Sequence, residues 1–275
     1  VIFAGGGDGT IIDIANRLSH FVHRPRLGIL KMGTGNALAT WAGARSPVED
    51  LRGWASGEAF QECGLRFVAA EGELCPFAGL GWDAAVLNDY RWVKDHMEKT
   101  PLQSLSSSVT VYLGAAFGRT APRYAVATRA PLATITVLGG EAWRVDRHGS
   151  RIGEVLREGD ILYQGPAHMT AFGTTPYYGY AMKMLPQACA LDTHMHLRVS
   201  AMSLPTVLNE LPRIWTGEFE HDKLFDFLVH RARIAFDEPV PYQVGGDARG
   251  MRQTLEISVA PCVQQVLSFA ANREA

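Results

Sequence analysis

Residues 6 to 10, Gly6-Gly7-Asp8-Gly9-Thr10, constrain this chain more than any other stretch. They lie between the apolar run Val1-Ile2-Phe3-Ala4 and Ile11-Ile12-Asp13-Ile14-Ala15, a pattern that predicts a strand, a glycine turn and a helix. Backbone amides of such a turn converge on one concave space, and the positive end of the following helix adds to it, which suits a polyphosphate. Glycine lets phosphate oxygens approach closer than a Cβ would permit and lets the turn visit positive φ. The run lacks the Gly-Lys-Ser/Thr ending of a Walker loop, and Thr10 stands where the dinucleotide fingerprint has its third glycine, so both of those phosphate loops are excluded. A carboxylate at Asp8 would repel a bare triphosphate unless it holds Mg²⁺ or accepts a hydroxyl proton. Its position predicts chemistry as well as binding.

A second unit of the same kind follows. Ile11, Ile14, Ala15 and Leu18 share one helical face, Leu27-Gly28-Ile29-Leu30 reads as a short buried strand, and Gly33-Thr34-Gly35-Asn36 leads into a helix beginning Ala37-Leu38-Ala39-Thr40-Trp41. Two successive strand-loop-helix units place both loops at the carboxyl edge of one parallel sheet, where α/β folds bind ligands. Thr34 and Asn36 offer a hydroxyl and an amide to phosphate or ribose, and Asn36 serves equally well as a helix N-cap.

These two loops resemble the catalytic domain shared by diacylglycerol, sphingosine and ceramide kinases and bacterial lipid kinases, a group distantly related to NAD kinases. The resemblance continues at Gly79-Leu80-Gly81-Trp82-Asp83-Ala84, similar to the family's Gly-x-Gly-x-Asp-Ala segment, and from Pro176-Tyr177-Tyr178-Gly179-Tyr180 through Pro186 and Asp192 to Val199. It implies ATP-dependent transfer of the γ-phosphoryl group to a lipid hydroxyl, with a diacylglycerol or a sphingoid base as acceptor. Gly6, Gly7, Asp8, Gly9, Thr10, Gly33, Thr34, Gly35 and Asn36 would then hold ATP, with Mg²⁺ on Asp8. Asp83 matches a residue that binds the lipid headgroup, although a helix-capping Asp explains it as well. Late in the chain, Gly245-Gly246-Asp247 stands where the family has Asp-Gly-Glu, so Asp247 is the remaining catalytic acid beside Asp8. Gly-Gly-Asp is also good hairpin-turn chemistry. Two alternatives remain: a soluble-substrate kinase of the NAD-kinase type, and a non-catalytic lipid or nucleotide-binding homologue.

At 275 residues the chain is expected to form two parts. Residues 1–60 read as an α/β ATP-binding lobe, incomplete at its N-terminal side compared with the family and joined by residues 261–275, with a returning strand over 259–269. Residues 61–260 read as a second, β-sandwich-rich lobe for the lipid, with strands at 61–68, 133–138, 142–145, 165–172, 195–199, 232–236 and 255–260. A helix over 205–219 is expected to break at Pro212. His194, His196 and Arg198 alternate along one strand and read as a solvent-facing row. Arg91, Lys94 and Lys99 match a region that meets ATP phosphates in the family, or form a solvated face.

Lys and Arg number 26 against 28 Asp and Glu, so no basic excess argues for nucleic acid. Hydrophobic residues reach 47%, but no unbroken apolar run approaches the roughly 18 residues a membrane span requires. Four scattered cysteines read as reduced thiols, which predicts a cytoplasmic compartment. The kinase resemblance adds peripheral contact with a membrane surface carrying the lipid alcohol, and a homodimer as the expected self-association.

Overall fold

The structure, a computed structural model, describes residues 1–86, 129–268 and the isolated glycines 114 and 118. The chain opens with β1 (Ile2–Gly6), α1 (Asp8–Ser19), β2 (Leu27–Lys31), α2 (Ala37–Trp41) and α3 (Pro47–Ala55). β1 and β2 pair in parallel, from Ile2 opposite Leu27 to Gly6 opposite Lys31, so both glycine loops leave the same sheet edge. α1 buries Ile11, Ile12, Ala15 and Leu18, with Ile14 at the margin of the same apolar cluster. α3 carries a full capping box: Glu49 N–H donates to the Ser46 hydroxyl and Ser46 N–H donates to the Glu49 carboxylate.

The remaining elements are β3 (Gln61–Ala70), β4 (Glu73–Cys75), β5 (Phe77–Gly81), a helical stretch from residue 82, β6 (Leu132–Val145), β7 (Arg151–Leu156), β8 (Ile161–Pro166), β9 (Met169–Gly173), a 3₁₀ turn at Gly179–Ala181, β10 (Met195–Ser200), α4 (Leu204–Asn209), α5 (Leu211–Thr216), β11 (Leu224–Val244) and β12 (Asp247–Ser268). Pro212 separates α4 from α5 by opening the second helix, where its missing N–H costs nothing.

The expected pair of lobes is joined more closely than the sequence implied. The described strands form one hydrogen-bonded network running β1-β2-β12-β11-β10-β9-β5, with β3, β4, β6, β7 and β8 branching from it. β12 makes the join. Its first half pairs antiparallel with β11, and its end lies parallel beside β2, with Val266 opposite Leu27. The last three residues of β11 also pair with β5, so β5, β9, β10 and β11 close into a ring. Ile135, Leu197, Phe227, Ile234, Tyr242 and Ile257 belong to the core of this β-rich part.

The single strand expected over 165–172 is divided between the end of β8 at Pro166 and β9, which starts at Met169. Two further expectations fail for identifiable reasons. Gly139-Gly140 reads as a break between strands, but β6 runs through it; Gly140 takes φ +69° and the pairing to β11 shifts register there, which is a bulge rather than a turn. The solvent-facing row is the second failure. All six residues of β10 are buried, with His196 0% and Arg198 2% exposed, because apolar clusters cover both faces of this central strand. Alternation marks an exposed face only where one side of a sheet is wet. Arg91, Lys94 and Lys99 lie outside the described residues.

Candidate active site

The two glycine loops are in contact. A Cβ on Gly33 would overlap Gly7 Cα and lie 2.8 Å from Gly7 N, so the backbones touch only because Gly33 lacks a side chain. Asn36 closes its own loop: its Oδ1 accepts from Gly33 N–H at 2.8 Å and its Nδ2 donates to Gly33 O at 2.5 Å. It does so at φ +53°, a left-handed conformation that Asn tolerates well. The amide expected to meet phosphate is therefore engaged in holding the loop. Thr10 and Thr34 are exposed at the two turns. The N–H groups of Thr34 and Gly35 have no acceptor among the described residues. A third segment joins them, since Tyr180 N–H donates to Gly35 O at 2.8 Å and Gly179 Cα lies 3.3 Å from where a Gly35 Cβ would stand.

Asp8 is 9% exposed at the first turn of α1, and both of its oxygens accept backbone N–H groups from the start of α2: Oδ2 from Ala37 at 3.0 Å and Oδ1 from Leu38 at 2.9 Å. Burial raises its carboxyl above the ordinary carboxylate value, against the opposing pull of the Leu38 and Ala37 amides. Asp8 thus ties the first loop to the helix after the second, and its orientation is fixed by those two donors.

Asp247, at the start of β12, comes to the same place from the far end of the chain. Its Oδ2 lies 3.0 Å from where a Cβ on Gly9 would be. The turn before it is seated on α1, because a Cβ on Gly245 would overlap the Ile12 side chain, and Gly245 N–H donates to Phe77 O at 3.0 Å. Gly245 and Gly246 both take positive φ, 56° and 86°, so the two glycines permit this tight approach.

Asp83 lies on the helical stretch after β5 and is 4% exposed. Gln243 links it to the Asp247 turn: Gln243 Nε2 donates to Asp83 Oδ2 at 3.3 Å, while Gln243 Oε1 accepts Gly246 N–H at 2.9 Å. Asp83 Oδ1 is buried without a hydrogen-bond partner among the described residues. Burial pushes the Asp83 carboxyl up to about 6. A buried carboxylate oxygen left unpaired, at a site edge, is an acceptor for a group outside the described chain. The sequence reading missed Gln243; its signal was an amide between Tyr242 and Val244 in an otherwise apolar strand end.

Beside Asp83, Trp82 borders a small cavity of about 10 Å³, lined by Met169, Met184, Met202 and Phe219 with Arg198 among them. Trp82 Nε1 is likewise buried without a partner. Methionine-rich walls adapt to flexible apolar ligands.

Two glycine loops in contact lie at a parallel sheet edge, with acids from both ends of the chain brought to them, the kind of place where α/β folds bind ligands. Comparison with known proteins shows what the chain is similar to. Residues 1–59 match the diacylglycerol kinase catalytic domain. A curated YegS-like lipid kinase from Cronobacter sakazakii is 26% identical over 207 residues, covering 72% of this chain and 55% of that relative. The chain thus spans about half the length of that curated relative. Among solved structures, a diacylglycerol kinase from Bacillus anthracis str. Sterne superposes with a TM-score of 0.58 at 15% identity, over 98% of this chain and 76% of that one. A second solved structure from that organism, assigned as a diacylglycerol kinase, gives a TM-score of 0.64 at 17% identity, over 98% and 77%. At such identities these structures establish the fold. The kinship to lipid kinases read from the motifs is the one these comparisons find. No helix among the described residues is long and apolar enough to cross a membrane.

Proposed function

We propose that this protein transfers the γ-phosphoryl group of ATP to the hydroxyl of a lipid alcohol. The observation that carries the reading is the approach of Asp247 to Gly9, which brings an acid from the end of the β-rich part to the N-terminus of α1, beside Asp8 and both glycine loops. The residues present fit a bound polyphosphate: Gly33 lets the two loops touch, and Thr34 and Gly35 hold uncommitted N–H groups. No trio of metal-ligating side chains occurs among the described residues. Mg²⁺ characteristically binds through one or two carboxylates and the phosphates themselves, and Asp8 and Asp247 are the carboxylates at this site. Mg²⁺, when bound with ATP, supplies neutralisation of charge on the transferring group.

The chain's own residues then divide the work. Asp8, held in one orientation by Ala37 and Leu38, and Asp247, carried on the glycine turn, share the duties of meeting the ion and taking the hydroxyl proton. Asp83 accepts a hydrogen bond from the acceptor with its unpaired Oδ1, and Gln243 fixes the other oxygen. The wall beyond Trp82 is mostly apolar, and an acyl chain would have to part its side chains to enter, because the cavity there is only about 10 Å³. Positioning and charge neutralisation dominate such a transfer, and a positioned base adds about 10²- to 10⁴-fold.

The test is a pair of substitutions assayed with labelled ATP and lipid vesicles. Asp247→Asn should lose turnover by at least the roughly 100-fold that a misplaced or missing catalytic group costs, and Asp247→Glu should retain or gain it. Equal activity in Asp247→Asn and the wild type would remove the proposal.

A further inference from the structure

We infer that Lys31 is a phosphate-binding residue of the nucleotide site and brings a protein cation to a bound nucleoside triphosphate. The inference rests on the kinase reading above and adds a residue to that same site. Parallel pairing sets Lys31, the last residue of β2, directly beside Gly6, the last residue of β1. Side chains of residues paired in this way leave the same face of the sheet, one strand spacing or about 5 Å apart. Two observations identify that face. A Cβ on Gly6 would overlap the Thr10 side chain, so the face carries the first turn of α1. A Cβ on Gly5 would instead meet Met32 Sδ at 2.8 Å and the Leu30 side chain at 4.0 Å, which puts both sequence neighbours of Lys31 on the opposite face. Lys31 therefore starts at the mouth of the first glycine loop, on the Thr10 side, and the second loop begins two residues further on at Gly33.

The surroundings of Lys31 leave its charge uncommitted. It is exposed, and its ammonium has no hydrogen bond or ion pair among the described residues. Cations next to the site's other elements are already paired: Arg17 of α1 with Asp13 at 3.1 Å, and Arg249, two residues beyond Asp247, with Glu73 at 3.2 Å. Asp8 turns both of its oxygens to the amides of Ala37 and Leu38.

The second loop is polarised toward an anion as well. Its carbonyls at Gly33 and Gly35 are taken by Asn36 Nδ2 and by Tyr180 N–H, while the N–H groups of Thr34 and Gly35 stay open. An unpaired ammonium beside a loop that offers donors rather than acceptors suits a ligand with several anionic oxygens. Lysine binds phosphate as a point charge with three donors on a flexible stem, and it reaches its partner without a rigid fork. A triphosphate at these loops also lies close to Asp8 and Asp247, so a cation there offsets repulsion that the backbone amides meet only in part.

The experiment is titration calorimetry of ATP with Mg²⁺ into the full chain, in wild type, Lys31→Gln, Lys31→Arg and Lys223→Gln. Lys223 is exposed just before β11, so its substitution removes the same charge away from the loops. Lys31→Gln should bind ATP roughly 10- to 100-fold more weakly, the range expected for a hydrogen bond between charged groups. Lys31→Arg should recover most of that loss, and Lys223→Gln should match wild type. Raising salt from about 0.05 to about 0.5 M should weaken ATP binding more in wild type than in Lys31→Gln, because the charge that salt screens is gone from the variant. Thermal melts should coincide for wild type and Lys31→Gln, since the ammonium holds nothing in the folded chain. Equal ATP affinity in Lys31→Gln and wild type, equal weakening in Lys31→Gln and Lys223→Gln, or no ATP binding by wild type would overturn the assignment. Label transfer to lipid vesicles is read in parallel. ATP binding that depends on Lys31, with no label on any lipid, keeps the assignment and removes the kinase reading; transfer with the same KM for ATP in Lys31→Gln as in wild type keeps the kinase reading and removes the assignment.

Discussion

Asp83 should cost the protein stability, and the cost should follow pH. Burial raises its carboxyl from 3.8 in an ordinary setting to about 6, so the folded state holds the proton more tightly than the unfolded state. Stability is then undiminished below the unfolded value and lost as pH rises from 3.8 toward 6. At 1.36 kcal/mol per pH unit, the penalty is about 3 kcal/mol at pH 7.5 and about 1 kcal/mol at pH 4.5. Asp83→Asn removes the charge while its carbonyl still accepts from Gln243, so the variant should be more stable than wild type. The margin should widen by about 2 kcal/mol between pH 4.5 and 7.5. Urea denaturation of both proteins across that range, followed by tryptophan fluorescence, measures it. Parallel curves for the two proteins would refute the reasoning, because they would mean that Asp83 ionises as freely folded as unfolded. A carboxylate kept at this expense marks a functional position, and the stabilised variant should be poor at turnover.

Other outcomes follow from the same geometry. Asp8→Asn should abolish turnover and also lower stability by about 1 to 3 kcal/mol, since the new amide faces Ala37 or Leu38 N–H with a donor; thermal melts beside the transfer assay separate the two effects. Gly33→Ala should force the loops apart by backbone overlap at Gly7 and weaken nucleotide binding, read by calorimetry with ATP, at a stability cost of about 1 to 3 kcal/mol. Asp226→Ala should destabilise by about 3 to 5 kcal/mol, because it leaves Arg198 charged and buried without its partner.

Residues 1–41 were legible because local chemistry alone dictates them, whereas α3 with its Ser46–Glu49 capping box was not read in advance. Glycine turns, a 3.6-residue apolar period and short buried strands specify the parallel β1-β2 pair, and the structure follows that reading down to Ile11, Ala15 and Leu18. The β-rich part was legible in its strand positions and less so in its connections. β11 and β12 span 21 and 22 residues, and bulges at Ala235 to Val240 and Val259 to Val263 interrupt their pairing, so each reads in sequence as fragments. The candidate acids could be named from motifs, but their division of labour could not. That Asp8 is fixed by α2, that Gln243 links Asp83 to the Asp247 turn, and that Arg198 is buried all depend on pairs far apart in sequence. Arg198 shows the limit most plainly, because a charged residue alternating with Leu197 and Val199 looks like a wet face until both sides of β10 are seen to be covered.

Incubation of the full-length protein with labelled ATP and Mg²⁺, against diacylglycerol, sphingoid bases, ceramide and NAD with the products resolved, tests the central claim most directly. Label should appear on a lipid alcohol and should vanish in Asp247→Asn. Label on NAD alone, or on no acceptor while ATP binds, would contradict it.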